Sequence, residues 1–506
     1  MKRIWLELAL VFVSLAAISS LAVAYVSQSG WTLYYGDAEA HLDIARRVVD
    51  SRKPGYDQLG TVWLPLPHVL MLPFVQADRL WRSGLAGAIP SAACFVLAGM
   101  FLYGALRRAA QSSAVALAAL ALLALNPNVL YLQAIPLTET VSLAALMALL
   151  YFTVLFRETQ SFAAVMGAGL ASIAASLARY EGWFVIPFVA LYFLMAGRKH
   201  RFTAALLFSA IAVLAPLYWL GHNWWIYSNP LEFYNGYYAP ISIYRRALAQ
   251  NMMPYPGDHN WRAALLYYPT AVRLFTGWAV VMLGLAGFVA ALIKRLYWPL
   301  LLTALAPLFY IWSMHSGGTP IFVPTLWPFS YYNTRYAIAA LPLLAVAGGS
   351  LVLLGPQRWR PWIAAAIVLA AVAPWLRSRP NEWVTWKESQ VNSITRRAWT
   401  RAAAASLAGS YHPGQGIVTS FGDLTGILRQ AGIPLRDALY DGDEPAWMAA
   451  TTRPDLFLHE EWAVAVAGDT VASAIQRASL KTGPRYHLVQ TVKVKGAPVI
   501  EIYKRD

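Results

Sequence analysis

Leu64-Pro65-Leu66-Pro67-His68-Val69-Leu70-Met71-Leu72-Pro73-Phe74-Val75-Gln76-Ala77-Asp78-Arg79-Leu80 is apolar enough to read as a membrane-spanning helix, and that reading decides the fold. Taken as a span, it turns every later segment round. The basic pairs of the chain then face outward, against the excess of Lys and Arg that short cytoplasmic loops carry. Three prolines interrupt the stretch, and Asp78 lies in it. We read it as a helix or re-entrant piece on the outer membrane surface, within one long outer loop, 27–86.

The composition calls for a membrane. Of 506 residues, 58% are apolar and 13% charged, where a soluble domain carries about 25% charged. This excludes a disordered chain and an ordinary cytosolic enzyme. The net charge of +15 is spread in pairs, not gathered in one patch, so no nucleic-acid partner is expected. Cys94 is the single cysteine, which rules out an internal disulfide and a zinc-finger-type site.

A span takes about 20 mostly apolar residues. Eleven runs qualify: 4–26, 87–106, 113–132, 137–156, 162–178, 183–197, 202–220, 271–293, 296–313, 335–354 and 361–377. Asn126-Pro127-Asn128 interrupts the third. The first opens with Lys2-Arg3 and offers Ala22-Val23-Ala24 as a cleavage site. Its apolar stretch exceeds the signal-peptide core of about 7–15 residues, so an uncleaved anchor is expected. With the N-terminus inside, Arg107-Arg108, Arg157, Arg198-Lys199-Arg201, Lys294-Arg295 and Arg358 with Arg360 all fall on cytoplasmic connections, while 126–136 and 314–334 hold no Lys or Arg. The expectation is a multi-pass inner (cytoplasmic) membrane protein with its C-terminus outside.

Residues 1–377 contain twelve acids. Glu7 and Glu158 apart, all of them (Asp37, Glu39, Asp43, Asp50, Asp57, Asp78, Glu139, Glu181, Glu232, Asp258) fall on or near the outer face. Acids contribute little to topology, so this clustering is independent of the assignment and puts the chemistry outside. Residues 378–506 hold 15 Lys+Arg and 13 Asp+Glu, a soluble mixture. Strand-like runs at Gly416–Phe421, Pro454–His459, Tyr486–Lys495 and Pro498–Tyr503 alternate with helical stretches at Asp423–Gln430 and Asp469–Ser479. The fold class is therefore an all-α membrane domain, 1–377, followed by a small extracytoplasmic α/β domain, 378–506.

Five constellations could carry chemistry. Gly36-Asp37-Ala38-Glu39-Ala40-His41 follows the first span. Asp37 either caps the helix that begins there or forms with Glu39 a carboxylate pair, one member acting as general base on a hydroxyl. Glu139, after Thr138, lies at the outer end of a span, where an acid is either a helix start or functional. Arg179-Tyr180-Glu181 joins two spans as an ion pair or a binding site. Arg335, in Tyr331-Tyr332-Asn333-Thr334-Arg335-Tyr336, either snorkels as an anchor or binds a phosphate at the membrane surface. The aromatic stretch Trp224–Tyr238 either anchors at the interface or stacks on a lipid chain or sugar. No Walker loop, dinucleotide fingerprint, nucleophile elbow or HExxH site is present.

Together these features resemble the C-type membrane glycosyltransferase superfamily, in particular the bacterial branch similar to protein O-mannosyltransferases and lipid A aminoarabinose transferases. The resemblance rests on Asp37-Ala38-Glu39 in the first outer loop and on the run from His41 through Gly55, Gly60 and Trp63 to Pro65-Leu66-Pro67-His68. It covers most of residues 1–340. One departure is the alanine between Asp37 and Glu39, where the mannosyltransferases have adjacent acids.

The resemblance implies transfer of a sugar from a polyprenyl-phosphate donor to a lipid, glycan or protein acceptor, with inversion. Asp37 would be the base, with Glu39 and Glu139 as further catalytic acids. Arg335, with Tyr336 and Tyr332, would hold the donor phosphate. His41, Arg179, Glu181, Trp63 and His68 would contact substrate, His41 as a hydrogen-bond partner orienting Asp37. Membrane lipids are the remaining partners. No cofactor is expected; the alternative is Mg²⁺ or Mn²⁺ held by Asp37, Glu39 and Glu139. The rival classes are a transporter, which should show mid-membrane acids or paired repeats, and a surface-polysaccharide polymerase or ligase.

Overall fold

In a bilayer each backbone group must be bonded within its own segment, so apolar runs become helices. The computed structural model describes residues 2–420, 422, 424–480 and 483–506. Among them, six helices are long and apolar enough to cross a membrane: Ile4–Gln28, Leu85–Ala109, Glu139–Thr159, Arg201–Tyr227, Tyr297–His315 and Thr334–Leu354. A seventh arises if Trp261–Thr276 and Trp278–Ile293, bent by 112°, count as one.

The eleven expected spans are therefore met in part. The run 113–132 is cut as its Asn-Pro-Asn suggests: Ser113–Ala124 ends, and Pro127–Leu132 begins with Asn126 accepting from the Asn128 N–H at 2.9 Å. Phe162–Ala178 and Glu181–Ala196 have 17 and 16 residues, and Arg360–Val372 has 13, all short of a full crossing. The run 271–293 is corrected. Gly277, at φ +81°, divides it, and its first residues belong to Trp261–Thr276. The break is stabilised from a distant segment, because the Phe275 carbonyl accepts from Asn126 Nδ2 at 3.0 Å and from Asn128 Nδ2 at 2.9 Å. Leu64–Leu80 forms Leu66–Val75 and then the short helix Asp78–Ser83. Ten helical residues rise about 15 Å, half a hydrocarbon core.

The chain divides into two units. The first takes the residues up to Gly30, Thr61–Pro67 and Ala88–Glu388. Its helices pack closely where side chains vanish. A Cβ on Gly182 would lie 2.4 Å from the Ala175 carbonyl carbon, and one on Gly287 would lie 2.0 Å from the Ala347 carbonyl oxygen.

The second unit takes Trp31–Gly60, His68–Gly87 and Ser389–Asp506. Five strands, β1 (Ile417–Thr419), β2 (Ala438–Leu439), β3 (Trp462–Val466), β4 (Tyr486–Val492) and β5 (Ile500–Arg505), form one sheet in the order β2-β1-β3-β5-β4. β1 is parallel to β2 and β3, while β5 is antiparallel to β3 and β4. Three expected strands are found. Phe421 and Asp423, at the edges of two expected elements, lie outside the described residues; the helix there runs Thr425–Ala431. Pro454–His459 is corrected from strand to helix, Pro454–Phe457. Proline at its first position and Asp455 in its first turn favour a helix start, and the neighbouring strand is Trp462–Val466. In the core of this unit Leu42 and Ala45 of helix Gly36–Arg47 meet Met71, Val75 and Trp81 from the first-loop segments and Ile417, Ile427 and Trp462 from the tail.

Candidate functional site

In the first unit the sequence-selected groups converge on one buried network. Glu139 opens helix Glu139–Thr159, where the N-terminal dipole favours a carboxylate. Arg179 ends helix Phe162–Ala178 in extended conformation, and Glu181 opens the next helix. Arg335 lies in the 3-10 helix Thr334–Ala340. Its Nε donates to Glu139 Oε1 at 2.9 Å, and Arg179 Nη1 reaches the same oxygen at 3.4 Å. Arg179 also donates to Glu181 Oε1 at 2.8 Å, Thr138 Oγ1 at 2.7 Å and the Tyr310 hydroxyl at 2.6 Å. The Tyr336 ring lies 4.5 Å from the Arg179 guanidinium and 5.1 Å from that of Arg335. Burying these charges is tolerable only because each has a partner. Glu139 Oε2 is the exception: it is buried and has no hydrogen-bond partner among the described residues.

Tyr310 and Glu388 are members that sequence reasoning passed over. Tyr310 is one of many aromatics in an apolar run. Glu388 is completely buried; its Oε1 accepts from the Asn333 N–H at 2.9 Å and its Oε2 from the Thr334 N–H at 2.8 Å and the Thr334 hydroxyl. It thus fixes the turn that starts the Arg335 helix. Its only sequence signal is an acid just past the last apolar run. Desolvation raises its pKa, against the opposing pull of Arg335 and the Thr334 bonds. Tyr332 is exposed and faces Phe322 in a short antiparallel bridge, while Trp63 is half-buried.

In the second unit the helix Gly36–Arg47 carries Asp37, Glu39 and His41. Tyr35 is its N-cap, and half-buried Asp37 lies in its first turn. Glu39 is buried and paired with Arg429, with Arg396 Nη1 3.7 Å away. His41 Nδ1 lies 2.8 Å from His68 Nε2, so one ring donates and the other accepts. His68 is fully buried and its Nδ1 has no hydrogen-bond partner among the described residues; burial first, then His41 and Arg47, hold its pKa well below the usual imidazole range. Asp43, also fully buried, accepts from Trp81 Nε1 at 3.0 Å, and desolvation with Glu39 repulsion pushes its pKa up to about 7. Arg396 and Arg429 gave no signal in the sequence. Among the described residues, no three His, Cys, Asp or Glu side chains are grouped to hold a metal ion.

Comparison with known proteins adds a family likeness over part of the chain and a likeness of fold. Residues 80–225 match the model of the dolichyl-phosphate-mannose-protein mannosyltransferase family. A search of curated proteins finds no sequence match. Among solved structures, ArnT from Cupriavidus metallidurans bound to undecaprenyl phosphate superposes with a TM-score of 0.52 at 13% identity, over 96% of this chain and 97% of that one. Its apo state gives 0.50 at 13% identity, over the same shares. The chain is thus similar in sequence to the dolichyl-phosphate-mannose-protein mannosyltransferase family over residues 80–225, and shares the fold of ArnT over nearly its whole length.

Proposed function

We propose that the protein is a glycosyltransferase of the outer membrane face, moving a sugar from a polyprenyl-phosphate donor to a hydroxyl of a lipid, glycan or protein acceptor. The observation that carries this reading is the buried network in which Arg335 and Arg179 share Glu139. A paired guanidinium at a membrane boundary is suited to a phosphate held by its lipid in the bilayer. The likeness to a family named for a lipid-phosphate sugar, and to a fold solved with undecaprenyl phosphate, supports the donor class.

In this mechanism Asp37 takes the proton of the acceptor hydroxyl, whose oxygen forms the new bond to the anomeric carbon. The bond from that carbon to the phosphate oxygen breaks, and the phosphate leaves with the electron pair. A single displacement inverts the centre. Arg335 stabilises charge growing on the phosphate, which replaces Glu139 as its partner. Membrane topology in this reading is N-terminus inside, eleven membrane segments, and tail outside.

Three acids holding a cation is the alternative, and the pairing of Glu39 with Arg429 and Arg396 weighs against it, since a ligand already neutralised by guanidinium is a poor one. Turnover by purified enzyme should therefore survive EDTA; loss in EDTA with recovery in Mn²⁺ or Mg²⁺ would reverse this. Asp37→Asn keeps the shape and removes the base, so turnover should fall at least about 100-fold while the protein still inserts. Near-normal activity in that variant would refute the assignment. Lipid-extract mass spectrometry of a deletion strain should show an accumulated donor.

A further inference from the structure

Glu39 presents a puzzle that its place beside Asp37 sharpens. Its carboxylate is buried, and a buried charge is costly unless paired and hydrogen-bonded. Its partners come from far along the chain. Arg429, on helix Thr425–Ala431, bonds Glu39 Oε1 through Nη2. That arginine is itself fixed, donating from Nη1 to the Arg82 carbonyl at 2.8 Å while Arg82 Nη1 donates to the Arg429 carbonyl at 2.7 Å. Arg396, on helix Val384–Ala408, lies 3.7 Å from Glu39 Oε2 and donates from Nη2 to the carbonyls of Tyr34 at 2.8 Å and Leu33 at 3.2 Å. The Arg397 guanidinium covers the Tyr34 ring at 3.8 Å. Gly426 completes the cradle: a Cβ there would lie 2.6 Å from Glu39 Oε1.

The chain is therefore clamped on both sides of Asp37, at the carbonyls of residues 33 and 34 and at the side chain of Glu39. The N-cap residue between them, Tyr35, contributes no side-chain cap. We infer that Arg396 and Arg429 are positioning residues, which hold the first turn of helix Gly36–Arg47 and with it the Asp37 carboxylate, and that this is what residues 389–506 contribute to the reaction. The inference rests on Asp37 acting as the base. It assigns Glu39 to orientation of its neighbour, with no contact to the reacting atoms. A reacting group displaced by about 1 Å loses on the order of 100-fold in rate, so a loosened first turn lowers kcat without weakening donor binding.

The test uses full-length protein, with the donor lipid and acceptor recovered from a deletion strain as substrates. Arg429→Met and Arg396→Met should each lower kcat at least tenfold with the KM for donor within twofold. Hydrogen exchange in residues 33–41 should quicken while β3 and β5 stay as protected as before. Arg429→Lys, which keeps the charge, should restore most of the activity. Should Arg429→Met fail to fold, Gly426→Ala leaves both arginines in place and displaces only the Glu39 carboxylate; it should lower kcat severalfold. Wild-type kcat in these variants, or exchange that quickens equally across the whole sheet, overturns the inference. An active Asp37→Asn variant instead overturns the base assignment. An inactive Asp37→Asn variant with a fully active Arg429→Met variant overturns the positioning role alone.

Discussion

Asp43 and His68 are fully enclosed in the second unit, and burial moves them in opposite directions. The Asp43 carboxyl rises from its ordinary 3.8 to about 7. Between those values the folded chain holds a proton that the unfolded chain has lost, so this group favours the fold at low pH and stops doing so as pH rises toward 7. His68 stays neutral below its ordinary 6.5, and it favours the fold above that value and less as pH falls. The two slopes separate by mutation. In Asp43→Asn, protection of residues 36–47 in hydrogen exchange, corrected for intrinsic rate, should decline as pH drops below about 6.5. In His68→Gln it should decline as pH climbs from about 4 to 7. An Asp43→Asn variant keeping the wild-type profile would contradict the assignment. His68 stood in a motif marked in the sequence, as did Glu139, Arg179 and Arg335, while Asp43 was marked only as one of the acids on the outer face. Tyr310, Glu388, Arg396 and Arg429 were not legible: Tyr310 and Glu388 act through hydrogen bonds to Arg179 and to the Asn333-Thr334 turn, and Arg396 and Arg429 meet Glu39 from more than 350 positions away, and such distant contacts leave no local pattern.

Helices declare themselves through continuous apolar runs, and their packing through glycine. Gly182 sits against the backbone of Ala175 and Ser176, atoms that cannot rotate aside. Gly182→Val should push helix Glu181–Ala196 off helix Phe162–Ala178, at a cost of roughly 1–3 kcal/mol. The unfolding temperature in detergent should fall accordingly, and an unchanged value would count against this close approach. The run 271–293 shows where such reading stops. Its hydropathy is continuous through Gly277, yet the chain turns there because Asn126 and Asn128 supply donors for the Phe275 carbonyl. In the tail, Pro454–His459 has strand-like composition, but proline and aspartate at its start favour a helical turn over a strand.

For the molecule as a whole, the sequence predicts both sides of the membrane from its basic pairs. A reporter active only outside the cytoplasm should work when fused after Lys387 and fail when fused after Arg108 or Arg201; the opposite pattern would invert the topology. The change of composition after Arg377 marks a soluble tail. What it does not mark is that the tail shares one unit with Trp31–Gly60 and His68–Gly87, since the hydrophobic partners Leu42, Met71 and Trp81 look locally like any amphipathic loop. This sharing has a consequence for biogenesis. About 300 residues separate Gly87 from Ser389, and at about 5–20 residues per second a ribosome needs roughly 15–60 s to make them. Helix Gly36–Arg47 emerges early; Arg46 can pair at once with Asp50 and Asp78, but Glu39 waits through that interval for Arg396 and Arg429. A nascent chain halted anywhere before Arg429 carries Asp37 with its clamp incomplete, so the proposed base is set only after Arg429 has been made, and products truncated before it stay silent in the membrane.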